Sequence, residues 1–187
     1  MAFVVVYDAC VLYPLHLRDV LMRVSIGGLV QARWSKDILD EAFQSLARRR
    51  PDLTNLPRTR AMMEAALPDA CVEGYDTLTS ALTLPDPKDR HVLAAAIRSG
   101  AQVIVTYNLA DFPAEQLAPY GIEAQHPDTF LCHTLELRPS NVIALLDERA
   151  KALLRPPMTT DDLLEAFLKI GLGQFVATAR NLIHGRE

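Results

Sequence analysis

With 187 residues, half of them hydrophobic and 22% charged, the chain has ordinary globular composition and enough apolar side chain for one sizeable core. No apolar run approaches the roughly 20 residues that a bilayer-spanning helix requires, so no membrane span is expected. The formal net charge of −4 argues against wholesale coating of nucleic acid, although Arg33 and Lys36, Arg48 to Arg50, and Arg58 with Arg60 form local basic clusters.

The start, MAFVVVYDA, has no basic n-region and meets an acid at Asp8, so it does not read as a signal peptide. Cys10, Cys71 and Cys132 are scattered, with no C-x-x-C pair, and read as reduced and mostly buried thiols. The expected compartment is therefore cytoplasmic.

In chain order, FVVVY at 3–7 is a continuous β-branched and aromatic run, the pattern of a strand buried on both faces of a parallel sheet. It ends at Asp8. From about 15 to 29, Leu17, Val20, Leu21, Val24 and Leu29 recur at helical spacing, and Gly27-Gly28 weakens the end. Ser35 is an N-cap for a helix to about Arg49 with Leu39, Phe43 and Leu46 on its apolar stripe, and Pro51 stops it. A further helix fits 57–67, and 70–75 reads as a short strand.

Asp86 followed by Pro87 predicts an N-cap and first helical residue, and that helix runs to Ser99 with Gly100 as its terminating residue. Asp89 then falls at the third helical position, on the same face as Val92 and Leu93. QVIVTY at 102–107 is a second buried strand, followed by a loop at 108–113, a short helix at 114–119 and a short strand at 121–124. This succession is an α/β pattern.

Past about 127 only helices are predicted: 127–135, 140–153, 160–171 and 174–184. Pro139, the Arg155-Pro156-Pro157 break and Gly171/Gly173 punctuate them, and Thr160 before Asp161 and Asp162 marks a helix start. The expected organisation is an α/β domain at 1–126 with a C-terminal helical extension at 127–187. Leu163, Leu164, Phe167, Leu168 and Ile170 give the extension an apolar face, either for packing onto the domain or for a dimer or protein-partner contact.

Sites in open α/β sheets lie beyond the carboxyl ends of the strands. Asp8 follows the first buried strand, and Asn108 and Asp111 follow the second, so two strands deliver acidic or amide side chains to one sheet edge. Asp89 is an inward acid at a helix start, satisfied there by backbone N–H groups or by a metal. Asp86 has a sufficient role as a cap. The five histidines show no H-x-x-x-H or H-E-x-x-H spacing, which disfavours zinc. No phosphate-binding glycine motif and no G-x-S-x-G elbow is present. What remains is a carboxylate set suited to a hard divalent cation, and its natural chemistry is phosphodiester hydrolysis.

The ordered pieces VVVYDACVLYP, WSKDILDEAF, DRHVLAAAIRSGA and VIVTYNLADFP resemble PIN-domain proteins, in particular VapC-type toxin ribonucleases, over most of residues 3–125. The resemblance implies a three-layer α/β/α sandwich around a parallel sheet and a divalent-metal-dependent endoribonuclease using Mg²⁺ or Mn²⁺. It implies Asp8, Glu41, Asp89 and Asp111 as the catalytic acids, with Asp8, Asp89 and Asp111 on the metal. Asn108 and Thr106 are secondary or substrate residues. Glu41 lies off the apolar stripe and is promoted only by the S-x-x-I-L-x-E spacing, with Asp40 beside it as a competitor. Asn108 stands where many relatives carry an acid, which leaves one or two metals open.

The implied partners are an RNA substrate and a cognate antitoxin of a VapBC-type pair, with a homodimer as the expected assembly. The alternatives are a housekeeping PIN nuclease and a non-catalytic PIN-like binding module. Arg18, Arg33, Lys36 and the 48–50 run are the candidate contacts to an RNA backbone.

Overall fold

The computed structural model describes residues 3–153 and 157–185. Arg155 and Pro156 of the expected proline break lie outside the described residues. The elements in chain order are β1 (Phe3–Tyr7), α1 (Ala9–Leu12), α2 (Leu15–Ile26), β2 (Val30–Ser35), α3 (Lys36–Arg49), α4 (Leu56–Ala66), β3 (Cys71–Val72) and α5 (Asp76–Thr79). They continue with α6 (Arg90–Ser99), β4 (Val103–Val105), α7 (Ala114–Leu117), β5 (Glu123–Gln125), α8 (Pro127–Leu137), α9 (Pro139–Ala152), α10 (Thr160–Leu168) and α11 (Gly173–His184).

The strands form one five-stranded sheet in the order β3-β2-β1-β4-β5, every pairing parallel. Beside β1 the chain order reverses, with β2 on one flank and β4 on the other. In an open parallel sheet that reversal opens a crevice beyond the carboxyl ends of the two strands. The register pairs Val5 with Val103, Val6 with Ile104 and Tyr7 with Val105, so Asp8 and Thr106 emerge side by side. The Asp8 amide donates to the Val105 carbonyl at 3.1 Å, which ties the two strand ends together.

Helices cover the sheet to give the three-layer α/β/α sandwich, with further helices after residue 127. The buried Tyr7 hydroxyl meets Ser25 of α2 at 3.0 Å, and its ring meets Phe130 of α8 edge-on. Helix α6 packs across the central strands through its buried run Val92 to Ala96. The apolar core is continuous from Val5 and Ile104 through Phe130 and Leu146 to Phe167 and Phe175. Leu163, Leu164 and Phe167 are fully buried in it, so the apolar face of α10 is spent on packing within the chain, and only Leu168 of that helix's apolar set stays exposed.

Several expectations need correction. Residues 30–35 form a strand, where a helix to about 29 leads straight to the Ser35 cap in the sequence reading. Val30, Ala32 and Trp34 are buried while Gln31 is exposed and Arg33 half-buried, a period of two that six residues with polar alternates only weakly announce. The helix expected from Asp86 is split into a 3₁₀ turn at Pro87–Asp89 and then α6. Asp89 is thus the junction residue rather than a position inside the helix. Helix α10 is capped by Thr159, not Thr160, in a reciprocal capping box with Asp162. Cys71 is exposed rather than buried. Arg18 is buried and donates to the carbonyls of Leu12 and Tyr13, so it does not reach an RNA backbone.

Candidate active site

The crevice beside β1 and β4 holds a cavity of about 340 Å³ whose wall includes Asp8, Glu41, Asp86, Asp89 and Asn108. Asp8 reaches it because β1 ends there and the chain turns at once into α1. Its Oδ1 accepts from the Ala9 amide at 2.7 Å, which caps that helix. Its Oδ2 accepts from the Thr106 hydroxyl at 2.7 Å and from the Cys10 thiol at 3.1 Å. With only 5% of its surface exposed, the carboxylate is held in one orientation. Burial pushes the Asp8 carboxyl up, the bonds from Cys10, Thr106 and Ala9 pull it back, and the charge of Glu41 adds to the rise.

Thr106 is the link between the two strand ends. Its buried hydroxyl donates to Asp8 and accepts from the Asn108 amide at 3.0 Å, so it orients the acid and shapes the loop after β4 with one oxygen. Asn108 is exposed at the cavity wall. Asp111 closes the 3₁₀ turn at Leu109–Asp111, half-buried and outside the cavity wall, yet close enough for its charge to act on Asp89.

Asp89 carries the clearest electrostatic signature. Burial, then the charges of Asp8, Asp111, Asp86 and Glu41, push its carboxyl up to about 6. Four neighbouring carboxylates thus act on one. Among the described residues no ion pair engages Asp8, Asp86, Asp89 or Asp111.

Glu41 and Asp40 are separated cleanly. Asp40 turns away to pair with Lys36 at 2.7 Å and with Arg60, on the wall of a different cavity. Glu41 faces the Asp8 cavity and meets His91 Nε2 at 3.2 Å. Burial alone would lower His91, but the bond from Glu41 and the charges of Glu41, Asp37 and Asp8 outweigh it and raise the imidazole. Asp86 keeps its predicted cap, accepting from the Lys88 amide at 2.9 Å, and also lines the cavity.

The acids offer an all-oxygen, strongly negative donor set of the kind a hard divalent cation takes. Among the described residues no three His, Cys, Asp or Glu side chains lie close enough together to hold a metal ion. Spacing alone did not select Cys10, Lys88 or His91 for the site, whereas Arg48, expected as a candidate RNA contact, does line the cavity. Cys10 and Lys88 were findable as neighbours of chosen acids, whereas His91 enters only through its contact with Glu41 of α3.

A family model described as "PIN domain" matches residues 4–110, more than half the chain, and spans β1 to β4 and every candidate site residue but Asp111. The chain belongs to the PIN-domain family. A second model, described as "VapC50 C-terminal domain", matches residues 127–181 of this PIN protein. The chain is also 46% identical over 109 residues to the Mycobacterium tuberculosis protein named "Putative ribonuclease VapC50", covering 58% of this chain and 63% of that protein. The aligned stretch is thus less than two thirds of the relative's length. No solved structure matches this PIN chain.

Proposed function

We infer that this chain is a divalent-metal-dependent endoribonuclease and the toxin of a VapBC-type toxin–antitoxin pair. The observation that carries the reading is the gathering of Asp8, Glu41, Asp86 and Asp89 on one cavity wall at the switch point of a parallel sheet, where burial and the neighbouring charges push the Asp89 carboxyl up to about 6. The relative named as a ribonuclease and the match at 127–181 support the assignment to the toxin branch.

Asp8, Asp89 and Asp111 are the residues for Mg²⁺ or Mn²⁺, and Glu41 is the fourth acid. A divalent ion at such a cluster supplies charge stabilisation and an activated water for in-line displacement at phosphorus. The chain's own residues supply the rest. Thr106 and the Ala9 amide fix Asp8 before substrate arrives, which lowers reorganisation. Glu41 reaches the cavity from α3 and is steadied by His91. Asn108, exposed beside Asp8, is positioned for substrate. Residues 1–126 form the nuclease unit and 127–187 its helical extension. The reading places the protein in the cytoplasm; among the described residues no helix is long and apolar enough to cross a membrane. The partners of this reading are RNA, a cognate antitoxin and a second copy of the chain in a homodimer.

The test is incubation of the purified protein with total bacterial RNA in Mn²⁺ or Mg²⁺, with fragment ends mapped. Discrete cleavage that a chelator abolishes is expected. Intact RNA in both metals, or cleavage indifferent to the chelator, contradicts the reading.

A further inference from the structure

The cavity that holds the acids also holds two cations, and neither is used. Arg48 comes from the far end of α3, seven residues and so two turns beyond Glu41, and Lys88 from the 3₁₀ turn between Asp86 and Asp89. Both are exposed. Among the described residues the Arg48 side chain touches only the Ser45 hydroxyl, at 3.4 Å, and no hydrogen bond or ion pair holds the Lys88 ammonium. Other basic residues nearby are committed: Lys36 and Arg60 to Asp40, and Arg50 to Asp52.

Two free cations sharing one cavity with four carboxylates, yet paired with none, are left for an incoming anion. A polyanionic strand approaching this site meets net repulsion, and a divalent ion at the acids offsets it only at the phosphate being cut. The neighbouring phosphates still need positive partners. The cavity also continues past Arg48 to Tyr13, which lies on the wall of an adjoining groove of about 460 Å³ with Arg49 stacked over its ring at 4.8 Å. Cations along a backbone track with an aromatic face beside them are the equipment of a single-strand binding groove.

We propose that Arg48 and Lys88 are the phosphate-positioning residues of this site, each gripping a backbone phosphate next to the one that is cut in a single-stranded RNA. The proposal rests on the nuclease reading of the acid cluster. It assigns no chemical step to either residue.

The experiment measures binding of a short fluorescent single-stranded RNA of mixed sequence by anisotropy in chelator, over a salt series, with metal-dependent cleavage assayed in parallel. The proposal predicts that Arg48→Ala and Lys88→Ala each bind several-fold more weakly and flatten the slope of log affinity against log salt by about 0.7, the loss of one phosphate contact on a single strand. Arg48→Lys and Lys88→Arg keep the slope. A wild-type protein that cleaves RNA while both alanine variants retain its slope overturns the phosphate clamp and leaves the nuclease reading standing. A wild-type protein that neither binds nor cleaves overturns both. Because both side chains are exposed, the variants fold, and circular dichroism verifies it.

Discussion

Asp89 shows how a carboxylate placed among other acids costs the fold stability. A free aspartate titrates near 3.8, and in the fold Asp89 is pushed up to about 6 by burial and then by its acidic neighbours. The folded state therefore holds this proton more tightly than the unfolded chain. Its stabilising contribution is full below about pH 4 and is lost as pH rises through 6. Because Asp89 is only half-buried, solvent screening reduces the effect to about 1 kcal/mol. Asp89→Asn is expected to raise the melting temperature of the metal-free protein by about 3 °C at pH 7.5 and by little at pH 5. Scanning calorimetry at the two pH values checks it. Mn²⁺ should in turn stabilise the wild type and not the variant, since only a bound ligand shifts unfolding by mass action.

At the scale of elements, the C-terminal helices are held by specific polar contacts as well as by apolar burial. The buried Asp128 of α8 accepts from the amides of Gln174 at 3.0 Å and Phe175 at 2.8 Å, satisfying two of the free N–H groups that begin α11. Tyr107, just past β4, donates its hydroxyl to the Ile170 carbonyl at 3.0 Å. Asp128→Ala leaves two helix-terminal amides unpaired and should cost about 3 kcal/mol in urea unfolding, while Asp128→Asn, which keeps an acceptor, should cost about 1.

Elements were legible where local chemistry marked them. Ser35 caps α3 through Ile38, Gly100 ends α6 with a left-handed φ of 64°, and FVVVY is β1. Strand β2 was not legible, because Gln31 and Arg33 dilute its apolar face and the Gly27-Gly28 turn reads as a frayed helix end. Of the acids on the cavity wall, Asp8 and Asp89 were marked by their position in the sequence. Glu41 was not, because its place on the wall depends on how α3 meets His91 of α6, which no spacing within α3 records.

At the scale of the whole molecule, one core runs from the sheet into the last helices. Trp34, the single tryptophan, is fully buried in β2, far along the chain from α8 to α11. The shared core predicts that Trp34 fluorescence and far-ultraviolet circular dichroism, which the helices dominate, report one coincident unfolding transition. Separate midpoints would mean that the helical extension and the sheet unfold independently.

The central claim is that the acids beside β1 and β4 cut RNA through a divalent ion. The direct measurement is the rate of RNA cleavage in Mn²⁺ by the wild type, Asp8→Asn and Asp89→Asn, each verified as folded. Removing groups that act together at the transition state is expected to lower the rate by at least about 100-fold in both variants, with no activity in chelator. Cleavage at the wild-type rate in both variants would contradict it.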